Sequence, residues 1–204
     1  MVLLLLLGAL AGCASNVTRE EPSEGYAKCL ETPRDVVVRM ETELGDFDVR
    51  LFGSRAPVTT CNFMRYVEAG LYDGGRFFRT VRPDNQAQKP VKIDVIQGDI
   101  RQGAEEFPPI PMERTITTGI HHVNGAISMA RDLPENAHAS FFLSIGDQLS
   151  LDYGGKRNPD GQGFAAFGRV IRGMEVVKRI WVSPASGESL TPAVTIKRVY
   201  PLKR

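Results

Sequence analysis

The chain has 204 residues, of which 42% are hydrophobic, and its 25 lysines and arginines nearly balance its 24 aspartates and glutamates. This length favours one domain, or one domain with a tail, and the apolar content is ordinary for a globular core. The near-neutral balance argues against a nucleic-acid-binding protein, because such proteins usually carry a basic excess.

An apolar segment opens the chain, from Val2 to Leu10. It is too short to span a bilayer, but it has the length of a signal-peptide core. The residues Leu10-Ala11-Gly12-Cys13 resemble the lipobox of bacterial lipoproteins, which implies cleavage before Cys13 and lipidation of its thiol. The alternative is an ordinary secretory peptide with a chance cysteine, and no basic segment precedes the apolar run.

This assignment divides the chain into three parts: a lipoprotein signal peptide over 1–12, a lipidated N-terminus and flexible tether over 13–33, and a folded domain over 34–204. The tether is polar and contains Pro22 and Gly25. The domain would then face the periplasm of a bacterial cell envelope, held to the membrane through Cys13. Ala14 is not an acidic inner-membrane retention signal, which favours the outer membrane.

Two further cysteines, Cys29 and Cys61, are left for the folded part of the chain. They can pair, since disulfides persist outside the cytoplasm. Cys61 also lies in a predicted helix, where it can serve as a small buried apolar residue. Both interpretations stay open, with free or buried thiols favoured. No cysteine pair has metal-site spacing and the three histidines form no ligand pattern, so no metal is expected.

Short apolar segments separated by turn residues make up the rest of the chain. Their composition and alternation predict strands over 35–42, 46–52, 75–81, 91–97, 126–130, 139–145, 164–171 and 193–200. Apolar residues at helical spacing predict two helices, over 57–70 and 173–180. Many short strands and only two helices, far apart in the chain, favour an antiparallel sheet closed into a barrel.

A glycine-rich segment, 151–163, is the one candidate for phosphate binding. Arg157 follows Lys156 where a phosphate-binding loop has serine or threonine, and no helix pattern begins there. The segment therefore predicts a solvated loop, and neither a nucleotide nor another cofactor is expected.

The predicted strand 75–81 carries an arginine among apolar residues. Strict alternation places Phe77, Arg79 and Val81 on one face, with Phe78 and Thr80 on the other. Arg79 is then either a solvated strand residue or a group that projects from a rigid strand into an apolar pocket, and this strand alone does not decide.

Five ordered blocks bear on that choice: Phe77-Phe78-Arg79, Val95-Ile96-Gln97-Gly98, Gly125-Ala126-Ile127-Ser128-Met129-Ala130, Ser140-Phe141-Phe142 and Phe167-Gly168-Arg169-Val170. Together they resemble the cyclophilin family of peptidyl-prolyl cis-trans isomerases, over about 36–200. The resemblance implies an all-β-dominated fold, an eight-stranded antiparallel closed barrel with a helix closing each end. It also implies an isomerase that acts on proline-containing polypeptide segments and needs no cofactor. We expect a monomer.

The resemblance also implies roles for individual residues. Arg79 would donate to the twisted prolyl amide, and Gln97 would bind the substrate backbone or steady Arg79. The residues that would bind the substrate are Phe142 as the pocket floor, Val95 and Leu151 as walls, Ala130 and Arg131 in the groove, and Phe164 where many members carry histidine. Phe141 is expected in the core, and Phe78 in the barrel interior.

Two departures from the family pattern stand out. Asp94 occupies the position of an aromatic pocket wall, and Ser140 replaces a glutamine before the two phenylalanines. They put rate and sequence preference in doubt more than fold. They also keep a second function open, in which the domain binds proline-containing segments as a chaperone with little or no turnover.

Overall fold

Antiparallel strands make up most of the protein in the computed structural model, which describes residues 24–86 and 89–203. The strands are β1 (Val36–Thr42), β2 (Gly45–Leu51), β3 (Arg76–Val81), β4 (Val95–Asp99), β5 (Ala126–Met129), β6 (Phe141–Ser144), β7 (Ala165–Arg172), β8 (Ala185–Ser186) and β9 (Ser189–Pro201). The helices are α1 (Glu24–Glu31), α2 (Pro57–Glu68), α3 (Thr115–Thr118) and α4 (Met174–Trp181). The signal segment, Cys13 and the start of the tether lie outside the described residues.

Eight strands close into a barrel in the order β1-β2-β7-β5-β6-β4-β3-β9, because β9 pairs with β1 as well as with β3. The predicted fold class is thus confirmed, and α2 and α4 are the two predicted helices. The two-residue strand β8 forms a hairpin with β9. That hairpin, α1 and α3 were not predicted.

The barrel interior is filled by aromatic rings. Phe63 of α2 lies edge-on to Phe141, with ring centroids 5.6 Å apart, and stacks on Tyr72 at 4.8 Å. Phe77 of β3 meets the same Phe141 ring at 5.7 Å. Gly98 leaves room for these rings, since a Cβ there would come within 2.7 Å of the Phe141 ring. The helix and three strands are therefore held around one aromatic cluster.

A β-bulge in β3 changes which residues face the interior. Phe77 pairs with Gly98 and Arg79 with Gln97, so Phe78 is an extra residue without a partner on β4. Phe77 is fully buried, whereas Phe78 is partly exposed and lines a separate hollow on the surface. The prediction that Phe78 occupies the barrel interior is wrong, because strict alternation does not continue through a bulge.

The segment before the barrel also differs from the prediction. Residues 24–31, expected to belong to the flexible tether, form α1, and a disulfide joins Cys29 of α1 to Cys61 of α2. The preference for free thiols was wrong. The guanidinium of Arg65 lies over the Tyr26 ring at 4.7 Å and strengthens the same contact. No helix among residues 24–86 and 89–203 is long and apolar enough to cross a membrane.

We expect the Cys29→Ser variant to lose about 2–4 kcal/mol of stability, because the disulfide no longer restricts a loop that spans β1 and β2 in the unfolded chain. The measurement is thermal unfolding of the full-length protein, with an expected fall in Tm of roughly 5–15 °C. Dithiothreitol should lower the Tm of the wild type to that of the variant and leave the variant unchanged. Equal Tm values without reductant would contradict this expectation.

Candidate active site

A cavity of about 570 Å³ opens on the barrel surface beside β3, β4 and β6. All eight residues that the sequence assigned to a site line it: Arg79, Val95, Gln97, Ala130, Arg131, Phe142, Leu151 and Phe164. They come from three strands and two long loops. The barrel therefore brings together residues that are up to 85 positions apart in sequence, Arg79 and Phe164.

The cavity floor is an apolar cluster that is separate from the barrel core. Its buried members are Val81, Ile93, Val95, Phe142 and Leu151, with Ala130 and Phe164 packed against them. Alternation along β6 sends Phe141 into the barrel core and Phe142 into this cluster. Phe142 and Phe164 meet edge to face, with their centroids 5.3 Å apart, which fixes the orientation of both rings.

The wall expected at Asp94 is built by its neighbour instead. β4 begins at Val95, later than predicted, and Ile93 turns into the apolar cluster while Asp94 does not line the cavity. Asp94 is half-buried, and its carbonyl accepts a hydrogen bond from the Ile145 amide at 2.8 Å. The cavity is therefore apolar on this side.

Arg79 lies at the cavity rim and is held by two partners. Its Nη1 donates to Gln97 Oε1 at 2.9 Å, while Nε and Nη2 both donate to Glu188 Oε2, at 2.8 and 2.5 Å. Glu188 lies in the β8–β9 hairpin, and its carbonyl accepts from the Thr80 amide at 2.9 Å. One hairpin residue is thus attached to β3 through its backbone and orients the neighbouring guanidinium through its side chain.

Arg131 is fixed by different contacts. Its Nε donates to the Gly163 carbonyl, its two Nη atoms bind Asp160, and its guanidinium lies over the Phe164 ring at 5.1 Å. Its side chain is only 2% exposed. Arg131 therefore braces the loop that carries Phe164, and it offers the cavity backbone groups rather than a free charge.

A serine, a histidine and an aspartate lie in line beneath the floor. Asp152 Oδ1 is 2.6 Å from His122 Nδ1, and His122 Nε2 is 3.0 Å from Ser128 Oγ. Ser128 and His122 are fully buried, and the His122 ring stacks on Phe142 with centroids 5.7 Å apart. No substrate can reach the hydroxyl, so the three residues support the Phe142 ring rather than acting as a nucleophilic triad.

Three cavity features were missed by the sequence reasoning. Glu188 follows Asn85-like turn chemistry only in space, since the residues that bind it lie more than 100 positions earlier, and no local pattern marks it. Ile93 was hidden by the assumption that the strand starts at Val91. Arg157, which lines the cavity, stood in a segment considered only for phosphate binding.

Metal ligands are not grouped in the part of the chain that the structure describes. Residues 24–86 and 89–203 contain no cluster of three or more His, Cys, Asp or Glu side chains arranged to hold a metal ion. What the cavity offers is a rigid guanidinium and amide above an apolar floor, a combination suited to a peptide segment with an apolar ring.

Comparison with known proteins points to one family. The family model described as "Cyclophilin type peptidyl-prolyl cis-trans isomerase/CLD" matches residues 37–200. The chain is 33% identical over 144 residues to peptidyl-prolyl cis-trans isomerase A of Dickeya dadantii, covering 70% of each chain. It is 29% identical over 153 residues to a peptidyl-prolyl cis-trans isomerase of Acinetobacter baylyi, covering 74% of this chain and 75% of the relative.

The fold also matches solved structures. A cyclophilin-type peptidyl-prolyl cis-trans isomerase of Cryptosporidium parvum superimposes with a TM-score of 0.68 at 19% identity, covering 83% of this chain and 99% of the other. At that identity the match concerns the fold alone, and it agrees with the closed barrel described above.

The buried His122 predicts a stability that falls as pH drops. Burial lowers its pKa from the ordinary 6.5, and the bond to Asp152 offsets only part of that effect. Below about pH 6.5 the unfolded state therefore binds a proton that the folded state refuses, and the free energy of unfolding decreases. The Asp152 pKa is lowered below 3.8, outside this window. Urea unfolding at about pH 7.5 and about pH 5.5 measures the loss.

His121, whose side chain is 56% exposed beside the same Asp152, supplies the control. His121→Gln should keep the pH dependence, and His122→Gln should reduce it. In the wild type, the ¹⁵N shifts of the His122 ring should remain those of a neutral imidazole at pH 5.5. A ring that protonates near its ordinary pKa would refute the prediction even if His122→Gln does not fold.

Proposed function

Because this chain belongs to the cyclophilin-type peptidyl-prolyl cis-trans isomerases, we propose that its cavity catalyses rotation about X-Pro bonds through donation from Arg79 to the twisted prolyl amide. The observation that carries this proposal is the guanidinium of Arg79, fixed by Gln97 and Glu188 at the rim of an apolar cavity floored by Phe142. The isomerase activity is that of the family, and the assignment of residues to steps is ours.

The reaction needs a twisted amide to be stabilised and no covalent bond to be made. Resonance stiffens the C–N bond and gives a rotation barrier of ~20 kcal/mol. In the twisted state the nitrogen recovers its lone pair and becomes a hydrogen-bond acceptor. A donor placed for that nitrogen binds the transition state better than either ground state, and this difference accelerates the rotation.

Arg79 has donors left for this task. A guanidinium carries five N–H groups, and three of them bind Gln97 and Glu188, which leaves two. The two free N–H groups are on Nη1 and Nη2, at the end of a side chain that is 35% exposed. Since its partners already fix its orientation, little further side-chain entropy is lost when it donates to substrate.

The apolar cluster supplies the grip on the proline ring. Phe142, Val95 and Leu151 are nearly inaccessible to water from below and present a packed surface to the cavity. Holding the ring while the preceding carbonyl rotates is how binding energy is directed to the twisted state. Ala130 and Arg131 then offer backbone groups to the residues before the proline, and Phe164 closes one side.

We also propose that the enzyme works in a bacterial cell envelope, facing the periplasm and anchored through a lipidated Cys13, with the outer membrane favoured. The Cys29–Cys61 disulfide supports an oxidising compartment. Its clients would be proline-containing segments of envelope proteins. The described helix α1 begins eleven residues after Cys13, so the folded domain would lie close to the membrane.

A chaperone with little turnover is the second candidate. Ser140 lines the cavity where family members carry a longer glutamine, and Glu188 uses two of the Arg79 donors. Such a module would bind proline-containing peptides without accelerating their isomerisation. A rate measurement therefore separates the two functions.

We expect Arg79→Ala to lower kcat/KM for a short X-Pro peptide by about 100-fold or more, since it removes the donor aimed at the reacting nitrogen. Arg79→Lys should also be impaired, because an ammonium cannot bind Gln97, Glu188 and substrate in the same planar geometry. The rates come from NMR exchange between the cis and trans peptide signals, corrected for the uncatalysed rotation.

The matched control is Arg76→Ala, which removes an exposed arginine from the same strand outside the cavity. It should keep the wild-type rate. Glu188→Gln weakens the anchor of Arg79 and should lower kcat more than it raises KM. A wild type that binds the peptide without accelerating it would favour the chaperone, and an Arg79→Ala variant as fast as wild type would remove Arg79 from the mechanism.

The anchor is tested separately. Cys13→Ser should release the full-length protein from the membrane fraction of a Gram-negative host, because the thiol that accepts the lipid is gone. Cys29→Ser keeps the lipobox and should remain with the membranes. Unchanged fractionation of Cys13→Ser would rule out lipidation at this cysteine and leave the isomerase proposal intact.

A further inference from the structure

A second guanidinium lies on the cavity wall, and it has no carboxylate partner. Arg157 is half-buried and lines the cavity that Arg79 and Phe142 define. Its Nη1 donates to two neutral acceptors, Gln86 Oε1 at 2.8 Å and the Val91 carbonyl at 2.5 Å. Within residues 24–86 and 89–203, its Nε and Nη2 have no hydrogen-bond acceptor and it makes no ion pair.

The nearest compensating charge already belongs to Arg79. Burial lowers the pKa of Arg157, Glu188 raises it and Arg79 lowers it, so these three charges share one neighbourhood. Both Nε and Nη2 of Arg79 bind the Glu188 carboxylate. One carboxylate thus faces two guanidiniums, and an excess of one positive charge remains. Glu106 and Asp132 also line the cavity, but neither bonds to Arg157.

Arg157 is held in place rather than free to turn into solvent. Gln86, its acceptor, is only 3% exposed, and its own amide is bonded to both the Ile93 carbonyl and the Arg82 carbonyl. The Arg157 backbone amide donates to the Ser150 carbonyl at 3.1 Å. The side chain therefore joins the glycine-rich loop to the loop before β4, and it is ordered before any ligand arrives.

We propose that Arg157 makes this isomerase prefer proline segments that carry a carboxylate next to the proline. A partly desolvated cation whose neighbours are neutral gains more from an anionic group than an exposed, solvated cation does. The unpartnered Nε and Nη2 form a planar pair of donors of the kind that binds a carboxylate in two places. This inference rests on the proposed function of the cavity, because it concerns the substrate of that site.

The experiment compares matched peptides that differ by one charge. Two pairs are used, Ala-Glu-Pro-Ala-Phe with Ala-Gln-Pro-Ala-Phe, and Ala-Ala-Pro-Glu-Phe with Ala-Ala-Pro-Gln-Phe. For each pair the Glu-to-Gln ratio of kcat/KM is measured by NMR exchange with the full-length protein. We expect a ratio of about five in at least one pair, the upper end for a half-exposed ion pair. Raising NaCl from about 50 to about 500 mM should reduce that ratio.

Three variants assign the preference to Arg157. Arg157→Gln should bring the ratio to about one, whereas Arg157→Lys keeps the charge and should retain most of it, which a loss of loop packing would not do. Lys156→Gln removes the same charge from the neighbouring exposed residue, outside the cavity lining, and should keep the wild-type ratio.

The failures are distinguishable. A wild type that accelerates the Glu and Gln peptides equally overturns the preference and leaves the isomerase mechanism standing. A preference that survives in Arg157→Gln overturns the role of this residue. If the wild type accelerates none of the four peptides, the proposed function fails first, and with it the substrate preference.

Discussion

The bulge in β3 is the constraint on which the site depends. An unbroken strand would place Phe77, Arg79 and Val81 on one face, so either the ring would leave the barrel or the guanidinium would enter it. The extra residue at Phe78 separates the two requirements: Phe77 packs among the core rings, and Arg79 turns to the cavity. α4 fixes the strand just after the bulge, where Thr80 donates to the Trp181 carbonyl and Trp181 Nε1 donates to the Val81 carbonyl.

The bulge also accounts for the place of Glu188. β3 pairs with β9 on its other edge, and there the register jumps from Phe77 opposite Val194 to Arg79 opposite Ser189. The β8–β9 hairpin thereby arrives beside Arg79, with Glu188 next to the paired Ser189. The same irregularity that turns the guanidinium outward thus delivers the carboxylate that holds it, and Gln97 on β4 holds it from the opposite edge.

How far the sequence predicts this structure depends on whether a segment is regular. β6 alternates without interruption, so Phe141 and Phe142 were assigned to core and cavity from the pattern alone. In β3 the same rule places Phe78 wrongly, because a bulge leaves no mark in residue type here. Strand ends fail for a related reason: Ile93 and Asp94 precede β4, where the chain is set by Gln86 and not by alternation.

Contacts between distant segments are the part that the sequence did not supply. The pairing of Cys29 with Cys61 needs α1 to fold against α2, and a short polar segment with one proline and one glycine nearby predicts no helix. Glu188 and Arg79 are 109 residues apart and meet only because the barrel closes. By contrast, the residues that line the cavity were found together because motif blocks record several strands at once.

Charge is distributed in the cavity so that catalysis and selection fall to different arginines. Glu188 neutralises Arg79 and fixes it, so that Arg79 would act through two directed N–H donors rather than through a diffuse positive field. A net charge at the reacting amide would attract any carboxylate onto the donors and block them. Arg157 carries the uncompensated charge instead, supported by neutral groups away from the Gln97 contact. An acidic residue can then be attracted to the cavity wall without competing for the guanidinium that faces the proline.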